Sequence, residues 1–206
     1  VGLALVAVFW ALNWSLSGMR SHWGFFPLWL GYCLTVDAGA YYRTGTSLWT
    51  RSRTGYAGLF LVSAPAWWLF EAINWRTVNW FYEGRSAFTD LEYIVLASVS
   101  FSTVMPAVFG TAELAATFGP IRRLGPQSPS AIGAGFRYAV LLTGVAMLAL
   151  LLAWPRYFFP LVWISLFCIL DPLNDRLGNR SLIREAARGE WRSWLALATG
   201  SVVCGF

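Results

Sequence analysis

Four carboxylates, Asp37, Glu71, Glu113 and Asp171, lie inside or at the end of long apolar runs. A charge placed in hydrocarbon costs about 2.5–3.5 kcal/mol on insertion scales, so such a residue has either a partner or a function. A carboxylate taken out of water can serve as an acid or base near neutral pH, which makes Asp37, Glu113 and Asp171 the candidate catalytic groups. Arg43, Arg122 and Arg176 fall close to them in the sequence, and a guanidinium fork matches phosphate geometry. The chemistry implied is a polar pocket at the cytoplasmic interface that receives a charged head group while apolar helices hold its tail. The plainer alternative is a set of acid–arginine pairs that orient helices and do no chemistry.

A second constellation is a matched spacing. Glu71, Asn74, Arg76 and Asn79 stand at the same offsets as Asp171, Asn174, Arg176 and Asn179, one hundred residues later, each set closing an apolar run. With an odd number of spans between them the two sets face opposite sides of a bilayer, the pattern of an inverted three-helix repeat. Convergence would leave the same trace, because Asn caps helix ends and Arg reaches from them toward water. Seven of these residues, all but Asp171, are binding candidates together with Arg43 and Arg122.

Other chemistries have little to build on. The fifteen basic residues are all Arg, so no lysine Schiff base forms within this segment. His22 is the sole histidine, and Cys33, Cys168 and Cys204 each stand alone in an apolar run. Metal and thiol redox sites need closer sets than these, so neither a metal nor a cofactor is expected. Asp171-Pro172-Leu173-Asn174-Asp175-Arg176 has some of the character of prenyltransferase magnesium motifs, but the further aspartates are missing. Gly-x-Ser-x-Gly, His-Glu-x-x-His and phosphate-loop patterns are absent.

The elements that must position these residues are membrane helices. The chain is 57% hydrophobic, 17% aromatic and 12% charged, about half the charge of a soluble domain. Its apolar runs approach the roughly 20 residues that cross a bilayer. The predicted fold class is all-α: a polytopic transmembrane helix bundle of about seven spans, near 1–16, 24–42, 56–74, 91–116, 136–153, 157–173 and from 193 onward. Residues 1–206 form one integral membrane domain, expected to be a fragment cut at both ends, since the chain opens on Val1 within an apolar run and stops early in the last one. Loops after the second, fourth and sixth spans hold ten arginines against four in the others. By the positive-inside rule the first residue is cytoplasmic.

Arg176, Arg180, Arg184, Arg188 and Arg192 recur every fourth residue with apolar residues between. On one helix this is the layout of a segment lying on a membrane surface, where anionic lipid head groups are worth about 1 kcal/mol per basic residue. The expected partner is the lipid bilayer, with no nucleic acid.

The stretches from Trp68 to Arg76 with Asn79-Trp80, and from Phe101 to Leu114, resemble a family of uncharacterised bacterial multi-pass membrane proteins. The likeness implies a multi-pass protein of the bacterial cytoplasmic (inner) membrane and brings no activity with it. Three function classes stay open. A lipid-handling enzyme or lipid-binding protein fits carboxylates gathered at one interface. A small-solute transporter fits the repeat, with Pro65, Pro106 and Pro160 as places for broken helices. A membrane scaffold or assembly subunit fits a Trp-rich lipid face.

Overall fold

The computed structural model describes residues 1–16, 23–130 and 133–205. Arg20 and His22 lie outside the described residues, as do Ser17 and Gly18 of the first break. Among the described residues the chain is helical without strands: α1 (Gly2–Ser15), α2 (Phe25–Thr44), α3 (Leu48–Arg51), α4 (Arg53–Thr77), α5 (Asp90–Phe101), α6 (Val104–Ala115), α7 (Gly119–Arg122), α8 (Ala134–Ala153), α9 (Pro155–Phe158), α10 (Leu161–Arg176), α11 (Leu182–Ala187) and α12 (Arg192–Gly205). Three stretches are long and apolar enough to cross a membrane: Arg53–Thr77, Asp90–Ala115 and Ala134–Ala153. Gly2–Ser15 is apolar but shorter.

The run at 91–116 is two helices, α5 and α6. Pro106 has no N–H to bond the carbonyl four residues back, and its ring crowds that turn. The helix therefore opens at Ser102–Thr103. Buried Ser63 covers the gap, its hydroxyl donating to the Phe101 carbonyl at 2.5 Å and accepting the Met105 amide at 3.0 Å. Pro65, by contrast, sits inside the continuous α4. Pro160 precedes α10 and separates it from α9.

The chain divides into two compact units. The first comprises 1–69, 82–123 and 195–206; the second comprises 70–81 and 124–194. In the first, α1 and α2 touch backbone to backbone: a Cβ on Gly31 would stand 2.7 Å from Leu5 Cβ and 2.9 Å from the Gly2 carbonyl. Small residues let apolar helices approach this closely where dispersion rather than water expulsion holds them. In the second unit α8 meets α10 in the same manner, where a Cβ on Gly144 would lie 2.9 Å from the Ser165 carbonyl. Ile73, Leu151, Val162 and Leu166 form this unit's core, with Phe70, Leu148, Phe158 and Phe159 around them.

The arginine-rich segment does not form one helix. Gly178 and Gly189 both adopt left-handed backbone, with φ +78° and +77°, which ends a helix after α10 and again after α11. The continuous cationic stripe expected over 176–192 is thereby cut into short pieces, in which Arg180 pairs with Glu185 and Arg184 with Asp175.

Candidate functional site

Asp37 lies near the end of α2 and is buried. Gly45, with φ +75°, turns the chain back, and this delivers Ser47 to the carboxylate. The Ser47 hydroxyl donates to Oδ2 at 2.8 Å and the Trp49 amide donates to Oδ1 at 3.1 Å. Ser47 also caps α3, accepting from the Thr50 amide at 3.3 Å.

Asp171 in α10 is built the same way. Left-handed Gly178 folds the chain so that the Ser181 hydroxyl donates to Oδ2 at 2.9 Å. The Leu182 and Ile183 amides donate at 2.8 and 2.9 Å. Ser181 caps α11 through the Arg184 amide. In both joints the serine follows its aspartate by ten residues and precedes a leucine. The close helix contacts match as well, since Gly31 and Ser165 each stand six residues before the aspartate. This correspondence, at an offset of 134 residues, joins Asp37 to Asp171.

The spacing shared by Glu71 and Asp171 produces no such likeness. Glu71 accepts the Trp80 indole N–H at 3.0 Å. Asn74 donates to the Trp80 carbonyl at 2.7 Å and accepts the Asn79 amide at 2.9 Å. These residues knot the exit of α4, where Val78 is forced to φ +47°, the one non-glycine residue at positive φ among those described. Asn174 meets Asn179 through its backbone carbonyl instead, at 2.9 Å. Arg76, Asn174 and Asn179 are exposed.

In the first unit Asp37, Arg43 and Glu113 of the expected set gather, joined by Arg51, which the sequence had not singled out. Arg51 grips Glu113 with two parallel hydrogen bonds of 2.6 and 2.9 Å. Hydrogen bonding to Glu113 is the main cause raising the Arg51 pKa, with the Asp37 charge adding to it. Arg43 donates from Nε to the Thr117 hydroxyl at 2.6 Å and lies 4.1 Å above the Phe118 ring. Asp37, Arg43, Arg51 and Glu113 thus stand around the ends of α2 and α6. Asp171 belongs to the second unit and is engaged there as described.

Beside this polar end runs a groove of about 320 Å³, lined by Thr111, Leu114, Ala115, Phe118, Pro120, Ile121, Thr199 and Val203. Its walls are nearly all carbon. Arg122 and Arg123 follow Ile121 directly, are exposed, and form no ion pair among the described residues. At the other edge the Thr111 and Tyr32 hydroxyls share a hydrogen bond of 2.7 Å, and the Ala107 carbonyl lies 2.8 Å from the Thr111 hydroxyl.

The second unit holds an ion cluster that the sequence reading passed over. Asp175, its side chain 1% exposed, sits between Arg184 and Arg137. Arg184 also donates to the Asp175 carbonyl at 2.6 Å. Arg137 Nε stands 2.8 Å from Oδ2, an ion pair without hydrogen-bond alignment. The available signal was Arg137 itself, a charge inside an apolar run that had to find a counter-ion. No group of three or more metal-ligating side chains occurs among the described residues.

No family model, curated protein or solved structure matches this chain.

Proposed function

We propose that this chain is a lipid-binding integral membrane protein whose first unit takes the acyl chain of an anionic phospholipid. The observation that carries the reading is the apolar groove lined by Leu114, Phe118, Ile121 and Val203, with Arg43 over Phe118 and Arg122–Arg123 following Ile121. Carbon walls suit an acyl chain, and unpaired guanidiniums beside them suit a phosphate. Binding is favoured over acid–base chemistry because Asp37 and Glu113 are already held by Ser47, Trp49 and Arg51. In this reading the protein is multi-pass in a bacterial cytoplasmic membrane, its first residue and arginine-rich loops on the cytoplasmic side.

A transporter would exploit the break between α5 and α6. There, however, Ser63 already occupies the freed Phe101 carbonyl and Met105 amide.

Native mass spectrometry of the protein released from membranes tests the proposal. Phosphatidylglycerol should be retained over phosphatidylcholine. Val203→Trp, which fills the groove, should abolish retention there, and Arg122→Gln with Arg123→Gln should remove the headgroup preference. Retention untouched by all three substitutions would refute it. Orientation is read by labelling Glu83→Cys from outside and Gly125→Cys only after permeabilisation; the reverse pattern overturns it.

A further inference from the structure

A second cleft, of about 120 Å³, lies in the other unit, lined by Ala134, Arg137, Tyr138 and Leu141 of α8 with Pro172, Leu173 and Arg176 of α10. We propose that this cleft is a separate binding site for the phosphate of a phospholipid headgroup. It is independent of the acyl groove of the first unit, and neither site needs the other.

The charge balance points to an anion. Asp175 is paired with Arg137 and Arg184, and Arg176 lines the cleft beside Arg137; with the buried Asp171 counted as well, three guanidiniums face two carboxylates, a local excess of one positive charge. Arg184 spends its donors on Asp175, using both the carboxylate and the backbone carbonyl. Arg137 approaches Asp175 most closely through Nε, and its terminal nitrogens donate no hydrogen bond among the described residues. Arg176 is exposed, and no hydrogen bond or ion pair engages it among those residues. Two forks with unspent N–H groups therefore border one cleft, the arrangement that binds phosphate oxygens in pairs.

Asp175 acts here as a positioning residue. Its buried carboxylate fixes the Nε edge of Arg137, which orders a long side chain before any ligand arrives and lowers the entropy cost of binding. The floor of Leu141, Pro172 and Leu173 gives the occupant's other end an apolar surface, which a free phosphate ion would not use. A phospholipid supplies both parts, and its headgroup is the committed occupant.

The test titrates short-chain phosphatidylglycerol into the full chain in uncharged detergent, with bound lipids counted by native mass spectrometry. Wild type should bind two lipids. Arg137→Gln with Arg176→Gln should lose one of them, weakening that site by at least about tenfold, as expected when charge-assisted hydrogen bonds are removed. The groove variant Val203→Trp should lose the other, so failure of this inference and failure of the groove reading give different patterns. Diacylglycerol, which lacks the phosphate, should not fill the Arg137–Arg176 cleft, and inorganic phosphate at high concentration should compete only weakly. If the double glutamine variant unfolds, Arg137→Lys with Arg176→Lys keeps the charge and loses the forks. Weaker binding by that folded variant supports the proposal. Unchanged lipid binding in the glutamine or lysine variants overturns it, as does equal binding of diacylglycerol; full displacement by free phosphate overturns the phospholipid assignment.

Discussion

Replacing each joint aspartate by asparagine should give unequal losses, even though the two joints look alike. At Asp171 both carboxylate oxygens receive a backbone amide, Leu182 on Oδ1 at 2.8 Å and Ile183 on Oδ2 at 2.9 Å. An asparagine has one oxygen, so in either orientation its NH₂ faces an amide N–H. One bond is lost and a buried donor is stranded, a cost of about 2–3 kcal/mol. At Asp37 only Oδ1 meets an amide, that of Trp49. Oδ2 is met by the Ser47 hydroxyl, which also stands 3.3 Å from the Thr50 hydroxyl. Ser47 can turn its proton to Thr50 and accept from the new NH₂, so Asp37→Asn should cost about 1 kcal/mol or less. The difference, about 2 kcal/mol, is roughly thirtyfold in the unfolding equilibrium. Unfolding in mixed micelles by increasing dodecyl sulfate, followed by helical circular dichroism, measures both variants against wild type. Equal losses, or a larger loss at Asp37, would refute the reasoning that backbone amides set the cost.

Three further outcomes follow from the geometry. A double-mutant cycle on Arg51→Gln and Glu113→Gln should return a coupling of about 1 kcal/mol at most, because the side chains are 46% and 30% exposed and water screens the pair; a value of several kcal/mol would mean the pair is buried in lipid. Gly144→Ala places a Cβ against Cys168, Ile169 and the Ser165 carbonyl and should destabilise by about 1–3 kcal/mol, whereas Gly58→Ala, with open space around it, should be neutral or stabilising in the same unfolding assay. Val78→Gly should stabilise by about 1 kcal/mol, since it relieves a β-branched residue at φ +47° whose side chain is exposed, less the entropy that glycine adds to the unfolded chain; a loss of stability would show that the Val78 side chain contributes packing.

The amino-acid sequence alone determined where several of the long helices run. The run at 136–153 is α8 at 134–153, the run at 24–42 is α2 at 25–44, and the breaker at Trp154-Pro155 falls where α8 ends. Such signals are local: an apolar stretch of given length, and residues that cannot continue a helix, act without knowing what lies across the fold. The break at Ser102–Thr103 was written in Pro106, and the interruption of 176–192 in Gly178 and Gly189, two glycines that already argued against one continuous helix there. The partners of the charges were a different matter. Glu113 meets Arg51 from 62 residues away, and Asp175 lies between Arg137 and Arg184. Nothing local distinguishes Arg51 or Arg184 from Arg122 or Arg176. The spacing that joins Glu71 to Asp171 was visible and led to different geometry. The ten-residue step from aspartate to serine was equally visible, and acquired meaning only once a left-handed glycine folded each serine back onto its carboxylate. Tertiary structure decided the site because a buried charge accepts whichever donors the packed backbone brings within about 3 Å, and sequence separation does not limit which those are.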